Sequence, residues 1–191
     1  MRKNLKRTNK FILISFLVLT LTYCASLGNK TIYNTLDQEN NRKIAKIILL
    51  EPNQKNIDFY KRSTSDFYYD ELEKVFRSYQ IETFRMNSIK VDFDSITSDN
   101  KFQISTHQDC DYFLIGKITR LTMMGRTRDF EVEYKLISSI DYKLKYYSRF
   151  STTFGQTYVV VPGAGLPSEE QIMRDAIKSG LHNIERDVLK K

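Results

Sequence analysis

The sequence predicts an α/β (α+β) fold: a two-layer sandwich in which a mixed, mostly antiparallel sheet carries helices on one face. Three observations lead there. From residue 130 to 154 the apolar residues Phe130, Val132, Tyr134, Leu136, Ile140, Tyr142, Leu144, Tyr146, Phe150 and Phe154 fall on even numbers. Glu131, Glu133, Lys135, Asp141, Lys143, Lys145 and Arg149 fall on odd ones, a period of two with one face apolar. Upstream, an apolar run at 43–50, a helical pattern from Phe67 and a second short run at 81–86 give strand, helix, strand in the compass of a crossover unit. Downstream, Ile172, Met173, Ala176, Ile177, Gly180, Leu181, Ile184 and Val188 recur at three-and-four spacing, a helix with an apolar stripe to bury.

Taken in order, the chain opens with Arg2, Lys3, Lys6, Arg7 and Lys10 and no acidic residue among them, followed by an apolar block over 11–21 interrupted by Ser15 and Thr20. This is the outline of a signal peptide over residues 1–23. The block is shorter than the roughly 20 apolar residues that a spanning helix needs. It ends Leu21-Thr22-Tyr23-Cys24-Ala25-Ser26, which resembles the lipobox of bacterial lipoproteins. Leu21 fits that motif, whereas Tyr23 stands where a small residue is usual, a latitude found in spirochaete lipoproteins. The resemblance implies that Cys24 is acylated and becomes the new N-terminus, which would hold the protein on a membrane by acyl chains alone. Ser26 is not the Asp that retains such proteins at the inner membrane of enteric bacteria, so the resemblance implies the outer membrane, with the domain facing the periplasm. The plain alternative is cleavage near Ala25, with Cys24 incidental.

The formal charge is +7, but the five basic residues before Cys24 leave with the leader. The remaining 25 Lys and Arg against 23 Asp and Glu amount to +2, and the case for a nucleic-acid partner disappears. With Cys24 acylated, Cys110 has no intramolecular partner, since the chain has two cysteines. Residues 24–42 read as the lipidated N-terminus and a flexible tether with a reach on the order of 20–25 Å. Residues 43–191 read as a single domain.

Within that domain, KIAKIILL at 43–50 is a buried strand closed by Pro52. A loop to Ser65 leads to a helix carrying Tyr68, Leu72, Val75, Phe76 and Tyr79 on one face, with Ser65 or Asp66 as its expected cap. Residues 81–86 form the second strand. The stretch 87–109 scatters Val91, Phe93, Ile96, Phe102 and Ile104 among polar residues and is expected to hold a short helix. Residues 111–118 form a strand running on towards Met123, and 125–129 a turn. The alternating segment is too long for one strand and is expected to fold back near Asp141–Lys145, although Tyr142 follows Asp141 where a turn glycine is expected. Residues 156–167 form a loop. Ser168-Glu169-Glu170-Gln171 then has the form of a capping box for the last helix. On that helix Gly180 would let the backbone approach the sheet closely.

No catalytic constellation, metal set or cofactor site emerges. His107, Asp109, Cys110 and Asp111 put metal-ligand types together, but the other histidine, His182, lies towards the polar flank of the last helix, and a zinc site needs three or four ligands in a defined arrangement. These residues read as a polar loop with a small buried cysteine opening a strand. Pro162-Gly163-Ala164-Gly165 lacks the Lys-Ser/Thr pair of a phosphate loop, and Glu169 and Glu170 would repel an anion there. Ser168 lacks the frame of a nucleophile elbow and reads as a cap.

The order of elements is similar to the small α/β domain of bacterial envelope lipoproteins, among them the curli-secretion lipoprotein CsgG, lipoprotein activators of penicillin-binding proteins and the N-terminal domain of TolB. The likeness rests on residues 110–118, the strand ending Ile140-Asp141, and the last helix with Ala176, Leu181 and Ile184. The whole chain also resembles lipoproteins of spirochaetes and myxobacteria. These resemblances imply a membrane-anchored, non-catalytic accessory or assembly factor of the cell envelope, partnered by the membrane through its lipid and by another envelope protein. The alternative they imply is a subunit of an oligomeric CsgG-like export pore, with the alternating hairpin contributed to a transmembrane barrel.

Overall fold

The crossover expected between residues 43 and 86 is present in the computed structural model, which describes residues 29–36, 43–57, 61–87, 89–104, 109–123, 126–152 and 168–190. The elements are β1 (Asn29–Asn34), β2 (Lys46–Leu50), β3 (Asn53–Lys55), α1 (Lys61–Ser78), β4 (Glu82–Met86), β5 (Tyr112–Met123), β6 (Arg126–Ser138), β7 (Leu144–Ser151) and α2 (Glu169–Ile184). The strands form one seven-stranded mixed sheet in the order β1-β7-β6-β5-β2-β4, with β3 beside β5. β2 runs parallel to β4 and β5, the side of the sheet built by the crossover through α1. β5, β6, β7 and β1 pair antiparallel in succession.

Both helices cover the same face. Leu114, Ile118, Val132, Tyr134, Leu136 and Tyr146 from the sheet meet Tyr68, Leu72 and Phe76 of α1 and Ile172, Met173, Ala176 and Ile177 of α2 in one buried cluster. Two glycines set the spacing of these layers. A Cβ on Gly180 would lie 2.9 Å from the Tyr134 ring, and one on Gly116 would lie 2.6 Å from the Tyr68 ring. Tyr68 and Tyr134 stack at 6.0 Å, and the Tyr134 hydroxyl donates to the Ile177 carbonyl at 3.1 Å. The aromatic pair thus fills space that the glycines leave open.

Several expectations are revised. The tether expected over 24–42 contains β1, an edge strand paired with β7 from Asn29↔Phe150 to Asn34↔Tyr146, so the sheet begins upstream of residue 43. The Thr-Ile-Tyr centre of β1 favours extended structure, and Thr31 donates to Asp187 beyond α2, but flanking polar residues hide the strand's signal. α1 starts at Lys61, so Ser65 and Asp66 lie inside it, and Ser65 accepts a hydrogen bond from Gln54 Nε2 at 2.7 Å. Among the described residues of 87–109, the short helix expected there is a 3₁₀ turn over Phe93–Ser95, opened by Asp92 accepting from the Asp94 amide at 3.1 Å. β6 already begins at Arg126, inside the expected turn 125–129.

The hairpin does fold back at residues 139–143, where Tyr142 takes φ 55°, the left-handed conformation for which a glycine was expected. Its ring packs on Phe113 at 6.3 Å. The register shifts between the pairs of Leu136 and Ile137, which breaks the even-odd rule: Ile137 and Leu144 pack on the face opposite the helices. There, with Ile48, Leu50, Phe113 and Ile115, they lie under Phe93 and Ile96 of the irregular 89–104 segment.

The capping box is half made. Ser168 Oγ accepts from the Gln171 amide at 3.1 Å, but the Gln171 side chain turns forward to Asp175 at 2.9 Å. α2 ends in a π-helical turn over Glu185–Leu189.

Gly116→Ala is expected to destabilise the fold by about 1–3 kcal/mol through overpacking against Tyr68. Urea denaturation measures it, and an unchanged midpoint would show that the ring shifts freely.

Candidate functional site

Open α/β sheets place ligands beyond the carboxyl ends of their parallel strands, where successive connections leave for opposite faces. Among the described residues there is one such point. β2 leads through α1 on the helical face to β4, whereas the chain from β4 returns across the other face to β5, on the far side of β2. A cleft of about 530 Å³ opens there, lined by residues that include Glu51, Asn53, Gln54, Ser65, Asp66 and Lys90.

Much of its polar lining is occupied structurally. Asn53 brackets the neighbouring segment, donating to the Val91 carbonyl at 2.7 Å and accepting from the Phe93 amide at 3.2 Å. Gln54 is bonded to Ser65. Glu51, Asp66 and Lys90 give the cleft charges of both signs. Such a wall suits a polar side chain or small polar ligand held by hydrogen bonds.

The second polar feature was missed by sequence reasoning. Glu131, Glu133 and Lys135, the odd-numbered charged residues opposite the apolar face, are each less than one-tenth exposed. Lys135 Nζ donates to the carbonyls of Phe93 at 2.8 Å and Ile96 at 2.6 Å and lies 4.2 Å from the Phe93 ring centroid. Burial pushes its pKa down, so the charge rests on those carbonyls and the neighbouring carboxylates. Lys117 bridges Asp94 at 2.6 Å and Glu133 at 3.8 Å. Glu131 accepts from Arg149 and from Ser151, the latter at 2.9 Å. Lys135 and Lys117 pin the 89–104 segment to the sheet, while Glu131 ties its strand to β7, and both are structural tasks. Alternating charge on an exposed face and on a covered one reads alike in sequence, so no signal distinguished them.

The residues singled out from the sequence are not brought together. Cys24, His107 and residues 162–165 lie outside the described residues. Cys110 is buried and free, and burial pushes its thiol up to about 11. Asp111 instead accepts from the amides of Ala45 and Lys46, at 2.8 and 3.0 Å. His182 is exposed, 3.5 Å from Glu185. Glu169 pairs with Arg120 at 2.6 Å and Glu170 with Arg174 at 2.8 Å. Among the described residues no group of three or more His, Cys, Asp or Glu is placed to hold a metal, and no helix is long and apolar enough to cross a membrane.

No family model matches the sequence, and no curated protein matches it. Solved structures similar in chain trace include a PelC dodecamer from Paraburkholderia phytofirmans, at 11% identity and TM-score 0.48, over 82% of this chain and 95% of that one. Lipoprotein GNA1162 from Neisseria meningitidis is similar at 12% identity and TM-score 0.41, over 56% of this chain and 81% of that one. Protein XCC0632 from Xanthomonas campestris is similar at 9% identity and TM-score 0.42, over 83% and 85%. At this level the likeness leaves function to be argued from the chain's own residues.

Two outcomes follow from the electrostatics. The bond from Lys117 holds the Asp94 carboxyl below the usual range. Asp141 is also held down: burial opposes this, but Lys145 and the Lys143 amide prevail. A carboxyl whose folded pKa is depressed stabilises the fold above its unfolded value, and that contribution is lost as pH falls through the folded value. The urea midpoint should therefore hold steady from neutrality to about pH 5 and fall below about pH 4, with Asp94→Asn showing a shallower fall; identical profiles would contradict the pairing. Cys110 should resist an alkylating reagent at neutral pH in the folded protein and react fully in denaturant. Rapid native labelling would contradict its burial.

Proposed function

We propose that this chain is a lipid-anchored domain of the bacterial envelope, a non-catalytic accessory or assembly factor that binds another envelope protein. The observation that carries the reading is the juxtaposition of leader and fold: a basic run, an apolar block and Cys24 are followed, five residues on, by the first strand of the sheet. Acyl chains on Cys24 would hold a folded domain at a membrane with no spanning helix. The absence of Asp after Cys24 supports the outer membrane, and the spirochaete and myxobacterial resemblance supports the same setting.

Binding rather than chemistry suits the surfaces on view. β1 and β4 each have one sheet neighbour among the described residues, and an open strand edge can accept a partner's strand. β4 is guarded by charge: Arg85 pairs with Asp70 at 2.7 Å and with Glu73, and Lys46 with Glu82 at 3.6 Å. Guards of this kind suppress indiscriminate strand pairing and leave the edge to a complementary partner. The pore reading asks the β6–β7 hairpin to face lipid. Its apolar side, with Val132, Tyr134, Leu136 and Tyr146 at 0% exposure, is instead the floor beneath the helices.

Radiolabelled palmitate supplied to a bacterial host with lipoprotein-processing enzymes should enter the native protein and not Cys24→Ala, and the variant should leave the membrane fraction. Export of both proteins without label would replace this reading with a soluble periplasmic role.

A further inference from the structure

The cleft at the carboxyl end of β2 is cross-linked by its own amides and hydroxyls, which leaves its charges over. Each charge sits beside an anchor in sequence. Lys90 precedes Val91, whose carbonyl accepts from Asn53 at 2.7 Å, and Asp66 follows Ser65, which accepts from Gln54 Nε2 at 2.7 Å. Glu51 stands between buried Leu50, the last residue of β2, and buried Pro52. The backbone carrying all three charges is therefore held without their help, and none of the three has an ion-pair partner among the described residues.

Topology distributes these charges by sign. Asp66 belongs to α1, on the helical face, and Lys90 belongs to the segment that crosses the opposite face, with Glu51 at the end of the sheet between them. From α1 to the far cover the cleft runs from negative to positive, with two carboxylates to one ammonium.

The Glu51 charge is not absorbed by the wall behind it. Tyr69, one helical turn on from Ser65 and Asp66, is 2% exposed, and its hydroxyl is buried without a hydrogen-bond partner. Burial and the Glu51 carboxylate both push that phenol up, so the charge reaches into the wall. Arg85, 5.1 Å from the centroid of the same ring, offsets only part of this and is itself taken by Asp70 and Glu73.

Unpaired charges on the walls of a pre-formed cleft suit a dipolar ligand, because the backbone that carries them needs no reordering on binding. The volume, about 530 Å³, lies within the range of small-ligand sites, roughly 300–1,000 Å³. Free lysine has two ammonium groups and one carboxylate, but its carboxylate and α-ammonium share one carbon, whereas the cleft draws its two signs from covers on opposite faces of the sheet. A peptide separates them.

We propose that this cleft binds a short peptide with two ammonium groups and one carboxylate, the ammonium groups set on Glu51 and Asp66 and the carboxylate on Lys90. This ligand is independent of the lipid anchor, since the folded domain alone recognises it.

Saturation-transfer difference NMR with lysyl-alanine and the full-length protein in detergent micelles measures the affinity. Saturable binding is expected, weakened roughly fivefold when the peptide carboxylate is amidated and by a like factor in Lys90→Gln. Within Lys90→Gln, amidation should make no further difference, whereas in Glu51→Gln and Asp66→Asn the amide should still bind less well than the free acid. Glu51 is partly exposed and Asp66 and Lys90 are exposed, so unchanged urea midpoints are expected of the variants. The amide comparison in the native protein holds whether or not a variant folds. Amidation that weakens binding as much in Lys90→Gln as in the native protein overturns the placement of the carboxylate. Equal binding of the doubly capped peptide, acetyl-lysyl-alanine amide, overturns the proposal and makes the cleft a socket for a partner protein's lysine. The absence of saturable binding at millimolar peptide overturns it outright.

Discussion

The antiparallel ladder between β5 and β6, twelve residues long on the β5 side, is the interaction on which the rest of the structure hangs. It joins the parallel half of the sheet, built by the crossover, to the antiparallel half that ends at β1. Its register also decides what each cover layer meets. Gly116 stands opposite Tyr134, so the Tyr68 ring can lie over the glycine and against the Tyr134 ring. One residue away, Ile115 stands opposite Lys135, whose ammonium holds the carbonyls of Phe93 and Ile96 on the other side of the sheet. A slip of one residue would exchange those faces, driving Lys135 beneath the helices and Tyr134 away from them.

The helical cover was the more legible of the two. The three-and-four spacing of α2 and the period of two in β6 follow from repeating geometry, and repetition is visible in a linear sequence. Gly180 was legible for the same reason, since a glycine on an apolar stripe marks close approach. The second cover was not. Residues 89–104 do not repeat; they are held by Asn53, by Lys135 and by the burial of Phe93 and Ile96, contacts that exist only after the chain has folded. The shift between Leu136 and Ile137 was invisible for a related reason, because the apolar alternation continues in sequence while the strand turns over.

β1 is the instructive miss for function. Its six residues are polar enough to pass for a tether, and they join the sheet through backbone bonds to β7 more than through burial, with Ile32 45% exposed. Backbone pairing leaves almost no trace in composition. The first strand of the sheet therefore begins five residues after Cys24 in the sequence. The cleft at the carboxyl end of β2 opens on the end of the sheet where β1 starts.

Amide hydrogen exchange of Asn29–Asn34, in acylated protein on vesicles, tests this account most directly. Amides of these residues bonded to β7 should exchange far more slowly than those of an unstructured peptide, and equally slowly in the released Cys24→Ala protein, because the pairing belongs to the fold and not to the membrane. Exchange at the rate of free peptide in both proteins would contradict the pairing and return residues 24–42 to a loose tether.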